Sequence, residues 1–361
     1  MKAAVLGVGL IGGSIGLAAR ERLNCEVVGW GPNRPTVDRA VELGAVDRPA
    51  VSVEEACAGA EIVFCASPVA VLPELVAAAL RASGPDTVVT DAGSTKRQLV
   101  AAVGDDERFI GGHPLAGAET AGVANARADL FEGARWYLTP TERSSGVLYD
   151  RLQRTIAALG ARPQAIDAEA HDRLMATVSH LPHVLANVLA AQAAAELTRD
   201  FERLPEVGPS FRDATRVAGS NPSIWGDIFA ANGEAVAAAI DDIVDRLREG
   251  AELLRAGDSG ALATWHATAA ADRGRLLEAE RPDGPLRELR ILVGNRPRIV
   301  AELALALGEA GVNIEDMALY PAAERGSGAI ALWVAGDDQA KRAAELVREL
   351  GHTVAPAGEA E

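Results

Sequence analysis

The sequence is poor in cysteine, and its few cysteines are not spaced as metal ligands or disulfide pairs. Only three are present, and this odd number lies in or near apolar segments, at Cys25, Cys57 and Cys65. Such usage predicts reduced, buried thiols in a cytoplasmic protein. Neither a C-x-x-C nor an H-E-x-x-H spacing occurs, so the sequence predicts no metal site.

Runs of basic residues and long apolar runs are also scarce. The net charge is −16 and the pI is near 4.9, so neither nucleic acid nor an anionic membrane is an expected partner. The opening "MKAAVLGVGLIGGSIGLAA" holds five glycines and begins like a strand, which argues against a signal peptide. No segment is expected to reach the ~18 apolar residues of a membrane span.

What is present first is an alternation of short apolar runs and helical patterns over residues 1 to about 165. This pattern predicts an α/β fold, a parallel sheet with helices on both faces. The predicted strands are Lys2–Gly7, Glu26–Trp30, Ile62–Cys65, Thr87–Asp91, Arg108–Gly111 and Trp136–Thr139, and the predicted helices lie near 12–22, 35–43, 69–82, 95–103 and 145–159.

The remaining chain predicts two further domains, as its 361 residues are too long for one ordinary core. Strand signals stop between 166 and 281, where Ala- and Leu-rich helical runs, interrupted at Pro182, predict an all-α substrate and subunit-contact domain. "RPDGP" at 281–285 is typical of a linker. Residues 286–361 then predict a split βαββαβ, ferredoxin-like unit. The predicted domains are 1–165, 166–281 and 286–361.

A glycine motif opens the first domain. "AAVLGVGLIGGSIG" places Gly7, Gly9 and Gly12 in G-x-G-x-x-G register after a strand and at the start of a helix. Gly7 allows the tight turn, Gly9 lets a pyrophosphate approach the backbone, and Gly12 packs helix on strand. The sequence therefore predicts a Rossmann-type domain that binds NAD(P)+, with further cofactor contacts at Leu10, Ile11 and Ser67.

The stretch after the second predicted strand bears on cofactor choice. NAD-selective folds usually carry an acid there, whereas this sequence reads Trp30-Gly31-Pro32-Asn33-Arg34. Gly31 in place of the acid favours NADP+ or dual use, with Arg34 as the 2′-phosphate partner. The alternative, that Arg34 is a solvated loop cation, stays open.

Four more motifs complete the pattern. "TDAGSTK" places Ser94 and Lys96 near the carboxyl edge of the sheet, and "GGHPLAGAE" holds His113 in an expected rigid turn. The whole set resembles the prephenate/arogenate dehydrogenase family over about residues 1–281. The residues that carry the resemblance are "GVGLIGGS", "DAGSTK", "GGHPLAGAE", "VSHLPH" and "FRDATRVAGSNPSIW".

The resemblance implies an oxidative decarboxylation in the biosynthesis of tyrosine. Hydride passes from the carbon bearing the hydroxyl to the nicotinamide, the ring carboxylate leaves as CO2, and the ring becomes aromatic. His113 matches the family's base on the hydroxyl, a task that suits an imidazole with an ordinary pKa of ~6.5. Ser94 matches a serine that hydrogen-bonds the same region.

The resemblance also implies substrate contacts. Arg216 matches an arginine that holds a substrate carboxylate, since a guanidinium can bind a carboxylate with two parallel hydrogen bonds. His180 matches a second substrate-contacting histidine, while Glu119 and Asp213 match acidic residues around the pocket. Arg212 and His183 are left open, and the remaining histidines are interpreted as structural or surface residues, namely His171, His266 and His352.

The terminal unit resembles an ACT domain through "LVGNRPRIVAELALALGEAGVNIEDM". Its loop reads Asn295-Arg296-Pro297-Arg298, whereas the usual loop ends in glycine, which puts direct amino-acid binding in doubt. Asn295 and Asn313 are the candidate contacts for an amino-acid effector, and a purely dimerising module is the alternative. The enzyme that the resemblance implies is expected to be a homodimer.

Three alternatives remain at this stage. Prephenate and arogenate differ by a keto or an amino group, and no residue is assigned to that choice. A β-hydroxyacid dehydrogenase would use a lysine in its helical domain, but residues 166–281 contain none. A non-catalytic dinucleotide and amino-acid sensor would bind the cofactor without turnover.

Overall fold

The computed structural model describes residues 1–103, 106–117, 120–200, 206–278, 286–294, 316–321 and 327–355, together with the single residues 303, 306, 307, 310 and 312. It divides into two compact units, Met1–Leu247 and Arg248–Glu361. The predicted boundaries of three domains stay a prediction.

A five-stranded parallel sheet forms the centre of the first unit. Its order is β3-β2-β1-β4-β5, with strands β1 (Lys2–Leu6), β2 (Glu26–Trp30), β3 (Arg48–Pro49), β4 (Ile62–Cys65) and β5 (Val88–Asp91). Successive side chains of a strand point to opposite faces. Ala3 and Val5 of β1 accordingly lie in one hydrophobic core, and Ala4 and Leu6 lie in another.

Helices cover both faces of this sheet. Ile15 of α1 packs in the first core, and Val76 of α4 packs in the second. This confirms the predicted parallel sheet between two helical layers. The helices are α1 (Leu10–Leu23), α2 (Arg34–Glu42), α3 (Val53–Cys57), α4 (Leu72–Ala82) and α5 (Arg97–Val103).

A three-stranded sheet follows, made of β6 (Gly111–Pro114), β7 (Arg135–Thr139) and β8 (Arg162–Ala165), with α6 (Gly146–Ala158) before β8. Strands β6 and β7 are antiparallel, and β7 and β8 are parallel. The strand predicted at Arg108–Gly111 is wrong in its bounds. Phe109 makes a single bridge to Val89, and the chain then leaves β5 to pair with β7.

Helices fill the described chain from 168 to 278. They are α7 (Ala168–Met175), α8 (Leu181–Asp200), α9 (Pro209–Thr215), α10 (Pro222–Ala231), α11 (Gly233–Ala256) and α12 (Ser259–Glu278). The predicted interruption of the helical run at Pro182 is wrong. Pro182 is the second residue of α8, and a π-helical turn over Ala176–His180 precedes it, so the backbone adjusts before the residue that lacks an N–H.

The segment from α7 to α8 was not expected to resemble a membrane span. Ala168–Arg199 is nevertheless long and apolar enough, by length and composition alone, to cross a membrane. Its first turns hold the buried residue Asp172, whose carboxylate accepts hydrogen bonds from the backbone amides of Lys96 and Arg97. Those turns therefore pack against protein, on the loop that follows β5.

The second unit contains a four-stranded antiparallel sheet in the order β10-β11-β9-β12. Its elements are β9 (Leu286–Gly294), β10 (Asp316–Pro321), β11 (Ser327–Ala335), α13 (Asp337–Glu349) and β12 (Thr353–Ala355). Ile291, Leu332 and Val347 join strands and helix in one core. The four predicted strands and the last predicted helix are present, whereas the predicted linker lies outside the described residues, as does most of the predicted first helix.

Candidate active site at the carboxyl edge of the parallel sheet

Glycine stands at each of the three motif positions for a different structural reason. Gly7 has a φ of 103°, a conformation that side chains other than glycine rarely adopt. A Cβ on Gly12 would lie 1.9 Å from the carbonyl oxygen of Gly7, while a Cβ on Gly9 would meet nothing within 4 Å. Gly9 is also the N-cap of α1 and offers no side-chain cap. The start of α1 is therefore an open cradle that fits a pyrophosphate.

One cavity of about 680 Å³ joins this cradle to the helical part of the unit. It lies past the carboxyl ends of β1, β4 and β5, where α/β sheets bind ligands. The structure brings together six of the predicted site residues in its wall, namely Gly9, Leu10, Ile11, Ser67, Ser94 and Arg216.

His113 lies in a strand and not in the predicted turn. It pairs with Tyr137 of β7 and is 9% exposed. The preceding glycines serve close packing, because a Cβ on Gly112 would lie 2.6 Å from the carbonyl oxygen of Asp91 and one on Gly111 would lie 2.3 Å from Oγ1 of Thr139. The pair "GG" thus lets β6 approach the end of β5.

A buried ion pair supports this approach. Nζ of Lys96 contacts Oδ2 of Asp91, and both side chains are fully buried. Asp91 also accepts the amide hydrogens of Gly93, at 2.8 Å, and Gly112, at 3.0 Å. The Asp91 carboxylate therefore ties the loop that carries Ser94 to the strand that carries His113.

Two residues of α7 complete a hydrogen-bonded cluster around His113. Its Nδ1 lies 2.9 Å from Nε2 of His171, and Nδ1 of His171 lies 2.8 Å from Oδ1 of Asp172. Both residues are buried. The sequence alone indicates a structural or surface role for His171 and no role for Asp172. The adjacent His-Asp pair in an Ala-rich helix was the available signal.

The electrostatics of this cluster follow from burial and hydrogen bonding. Burial by itself would raise the pKa of Asp172, but the hydrogen bonds from His171 and the amides of Arg97 and Lys96 bring that pKa below its ordinary value. Burial lowers the pKa of His113 well below 6.5, and the neighbouring His171 adds to this. Asp172 is therefore ionised and His113 is neutral near pH 7.

His180 is a second buried neutral histidine, and its contacts with Asn232 assign its tautomer. Nδ2 of Asn232 lies 2.8 Å from the backbone carbonyl of Asp172 and 3.1 Å from Nδ1 of His180. A carbonyl only accepts hydrogen bonds, so the amide NH2 must face it, and its other hydrogen points at Nδ1 of His180. The ring proton of His180 is then on Nε2. Burial lowers the pKa of His180 to about 4.

Trp225 connects both histidines of "VSHLPH" to the cavity wall. It lines the cavity, stacks on His183 with ring centroids 3.4 Å apart, and meets the edge of His180 at 5.9 Å. His183 donates from Nδ1 to the carbonyl of Ser179, at 3.0 Å. The ring of His183 is thus fixed beside the wall, a position that the sequence left open.

Other predicted site residues lie elsewhere. Arg212 and Asp213 are exposed on α9 and are not part of the cavity wall. Arg34 lies outside that wall too and pairs with Asp38 at 2.7 Å, both side chains being about half exposed. Three predicted contacts lie outside the described residues, namely Glu119, Asn295 and Asn313. Among the residues that the structure describes, no group of three or more His, Cys, Asp or Glu side chains could hold a metal.

A glycine cradle at a sheet edge, with Arg216 lining the same cavity, indicates an enzyme that binds a dinucleotide and an anionic substrate. Residues 15–164 match the family described as "Prephenate dehydrogenase, nucleotide-binding domain". Residues 167–268 match that described as "Prephenate dehydrogenase, dimerization domain". The chain belongs to the prephenate dehydrogenase family and is an oxidoreductase, as the sequence predicted.

Named relatives and solved structures support the same family. The chain is 28% identical over 353 residues to a prephenate dehydrogenase of Bacillus subtilis, covering 94% of each chain. It is similar to prephenate dehydrogenase from Aquifex aeolicus, solved with hydroxyphenyl propionate and NAD+, with a TM-score of 0.72, 30% identity, and coverage of 76% of this chain and 98% of that one. Arogenate dehydrogenase of Synechocystis has a TM-score of 0.65 and 26% identity, with coverage of 76% and 100%.

Proposed function

We propose that this protein oxidises and decarboxylates prephenate to 4-hydroxyphenylpyruvate with NAD(P)+, in the biosynthesis of tyrosine. The observation that carries the proposal is the single cavity that joins the open cradle at Gly9 to Ser94 and Arg216. A cofactor held by the start of α1 and a carboxylate held by Arg216 would then share one space of about 680 Å³.

His113 is the proposed base. The bound nicotinamide supplies a hydride acceptor, and removal of the hydroxyl proton assists the departure of hydride from the same carbon. Nε2 of His113 accepts this proton while Ser94 hydrogen-bonds the same oxygen. The bond to the ring carboxylate breaks, CO2 leaves, and its electron pair completes the aromatic ring. The proton then returns from His113 to the phenolic oxygen, so the imidazole ends neutral.

Arg216 and His180 are the proposed substrate contacts. Arg216 lines the cavity, and a guanidinium can hold a carboxylate with two hydrogen bonds. His180 is neutral with its proton on Nε2, so it donates a hydrogen bond to the anionic substrate without adding charge. Asp213 and Glu119 are proposed as acidic neighbours of the pocket. Asp213 is exposed on α9, so it would act at the mouth.

Arogenate is the second candidate substrate, favoured by the likeness to an arogenate dehydrogenase. It carries the same ring, hydroxyl and ring carboxylate, so the same residues would act on it. Its side chain bears an amine, and the product would be tyrosine itself.

NADP+ or dual use is proposed for the cofactor. The support is Gly31 at the end of β2, where an acid would repel a 2′-phosphate, and the nearby cation of Arg34. The ion pair of Arg34 with Asp38 would have to open for this contact. Since both side chains are about half exposed, the pair costs little to break.

Residues 286–361 of the second unit are proposed to be an ACT-like module, and the protein a cytoplasmic homodimer. The sheet order β10-β11-β9-β12 supports a split βαββαβ arrangement, and the match of residues 167–268 to a dimerization domain supports a dimer. An amino-acid effector is proposed at the loop that contains Asn295 and near Asn313, with tyrosine as the first compound to titrate.

The test is a rate comparison at 340 nm with prephenate and arogenate, each with NAD+ and NADP+. Turnover with prephenate is the expected result, and the preferred pair assigns both substrate and cofactor. The control variant His113→Asn should keep cofactor binding and lose about 10²- to 10⁴-fold in rate. The absence of turnover in all four reactions, with cofactor binding intact, would overturn the proposal.

A further inference from the structure

The carboxylate of Asp172 fixes where the protons of its neighbours lie. Oδ1 accepts the backbone N–H of Lys96 at 2.8 Å, and Oδ2 accepts that of Arg97 at 2.8 Å. These donors hold the carboxylate in its ionised form, which can only accept hydrogen bonds. Nδ1 of His171, 2.8 Å from Oδ1, must therefore carry a hydrogen.

The proton position on His171 decides that on His113. A neutral imidazole with its hydrogen on Nδ1 has a lone pair on Nε2. This Nε2 faces Nδ1 of His113 at 2.9 Å, and two lone pairs cannot face each other at that distance. While His171 is neutral, His113 therefore carries its hydrogen on Nδ1 and its lone pair on Nε2. No described residue hydrogen-bonds Nε2 of His113.

We propose that His171 and Asp172 are positioning residues, which hold His113 in the tautomer whose Nε2 can take the proton of the substrate hydroxyl. This inference rests on the proposed function for its catalytic meaning. The opposite tautomer would present an N–H to the hydroxyl and could not act as a base. Both side chains are almost completely buried, so the pair would act through His113.

The pair also stabilises the charge that forms during the reaction. When Nε2 of His113 takes the proton, its ring becomes a cation whose Nδ1–H still donates to His171. The negative carboxylate of Asp172, on the other side of His171, stabilises this cation. The stabilisation acts within a buried site, where electrostatic interactions are stronger than in water. The arrangement parallels the way in which an aspartate orients the histidine of a serine protease.

A purely structural role is the alternative to be excluded. His171 meets Tyr137 edge-on, with ring centroids 5.7 Å apart, so its removal also disturbs packing. Two variants separate the roles. In His171→Gln, the side-chain oxygen can still accept from Nδ1 of His113, whereas His171→Leu fills similar space without an acceptor.

We expect His171→Leu to lower kcat by about 10- to 100-fold, by analogy with partners that orient a metal-bound imidazole, with little change in KM. His171→Gln should regain most of this loss. Thermal unfolding of both variants monitors packing. Equal kcat for the two variants, with equal losses of Tm, would show that the residue only packs and would overturn the proposal.

A second measurement does not depend on turnover. ¹⁵N NMR of the full chain labelled at histidine reports which ring nitrogen is protonated, and signals missing in His113→Asn assign that residue. The expected result for the unmodified protein is hydrogen on Nδ1 of His113. Hydrogen on Nε2 would overturn the proposal. If the Nδ1 tautomer is found but no substrate turns over, the proposed function fails while this assignment stands.

Discussion

The substitution of alanine for two of the motif glycines tests the difference between a packing glycine and a binding glycine. In Gly12→Ala the new Cβ lies 1.9 Å from the carbonyl oxygen of Gly7, against an ordinary contact of at least 3.4 Å. The helix and the turn must therefore separate by up to the difference, 3.4 − 1.9 = 1.5 Å. The carbonyl belongs to the backbone and the position of a Cβ is fixed by the backbone, so neither group can rotate away.

The magnitude follows from two opposing effects. Overpacking of a tight contact costs about 1–3 kcal/mol, and this contact belongs at the upper end. Alanine within a helix returns about 1 kcal/mol relative to glycine, which leaves a net loss of about 1–2 kcal/mol. At about 2–4 °C for each kcal/mol in a domain of this size, Tm should fall by about 2–8 °C.

Gly9→Ala is the matched variant. The backbone of Gly9, with φ −80° and ψ −152°, is accessible to alanine, and its Cβ would meet nothing within 4 Å. Tm should therefore stay within about 1 °C, because no contact of the fold is lost. The methyl group instead occupies the space proposed for the pyrophosphate. A clash of about 1–3 kcal/mol raises the Kd for NAD(P)+ by about 5- to 150-fold.

The assay is thermal unfolding of both variants without cofactor, followed by fluorescence titration with NADH and NADPH. The expected pattern is a loss of Tm confined to Gly12→Ala and a loss of affinity in Gly9→Ala at unchanged Tm. A Gly9→Ala protein that binds both cofactors as tightly as the parent would refute the cradle. A Gly12→Ala protein with the parental Tm would refute the packing argument.

Three further predictions concern the residues proposed for catalysis and substrate binding, and Asn232 beside them. Because burial lowers the pKa of His113, the neutral base persists as pH falls, and the acid limb of the kcat/KM profile should lie below pH 6.5. An acid limb above this value would contradict the assignment of His113 as the base. Arg216→Ala should raise KM for the substrate by about 10- to 150-fold, from the ~1.5–3 kcal/mol of charged hydrogen bonds, and an unaltered KM would exclude the clamp. Asn232→Leu leaves Nδ1 of His180 without its donor and should lower the free energy of unfolding by about 1–3 kcal/mol. Denaturant unfolding measures this loss, and a midpoint equal to that of the parent would contradict the tautomer assigned to His180.

Local sequence signals predicted the strands that carry strong apolar runs, and they failed for weak ones. The bounds of β2 and β4 were predicted to the residue because both runs are flanked by polar or turn residues. Strand β3 has only two residues, Arg48 and Pro49, and β8 reads Arg-Pro-Gln-Ala with mostly exposed side chains. Neither shows the alternation that identifies a strand, so only pairing with a neighbour creates them.

The cofactor side of the site was also predictable, since its glycines are close in sequence and each has a local reason. The part of the site that holds the proposed base was not predictable from the sequence. The hydrogen bond between His113 and His171 spans 58 positions and joins a strand to a helix that was assigned to another domain. Lys96 is similar. A lysine beside serine and threonine is typical of a surface loop, and only the approach of Asp91 explains its complete burial.

Asp172 shows why the helical segment and the sheet cannot be understood separately. Its carboxylate sets the proton of His171 and, through it, leaves a lone pair on Nε2 of His113. Its backbone carbonyl orients Asn232, which places a proton on Nε2 of His180. One residue thus gives two buried neutral histidines opposite capacities, one to accept a proton and one to donate a hydrogen bond. Both depend on the contact between the start of α7 and the amides of Lys96 and Arg97, so any change that shifts α7 against the sheet should alter both histidines together.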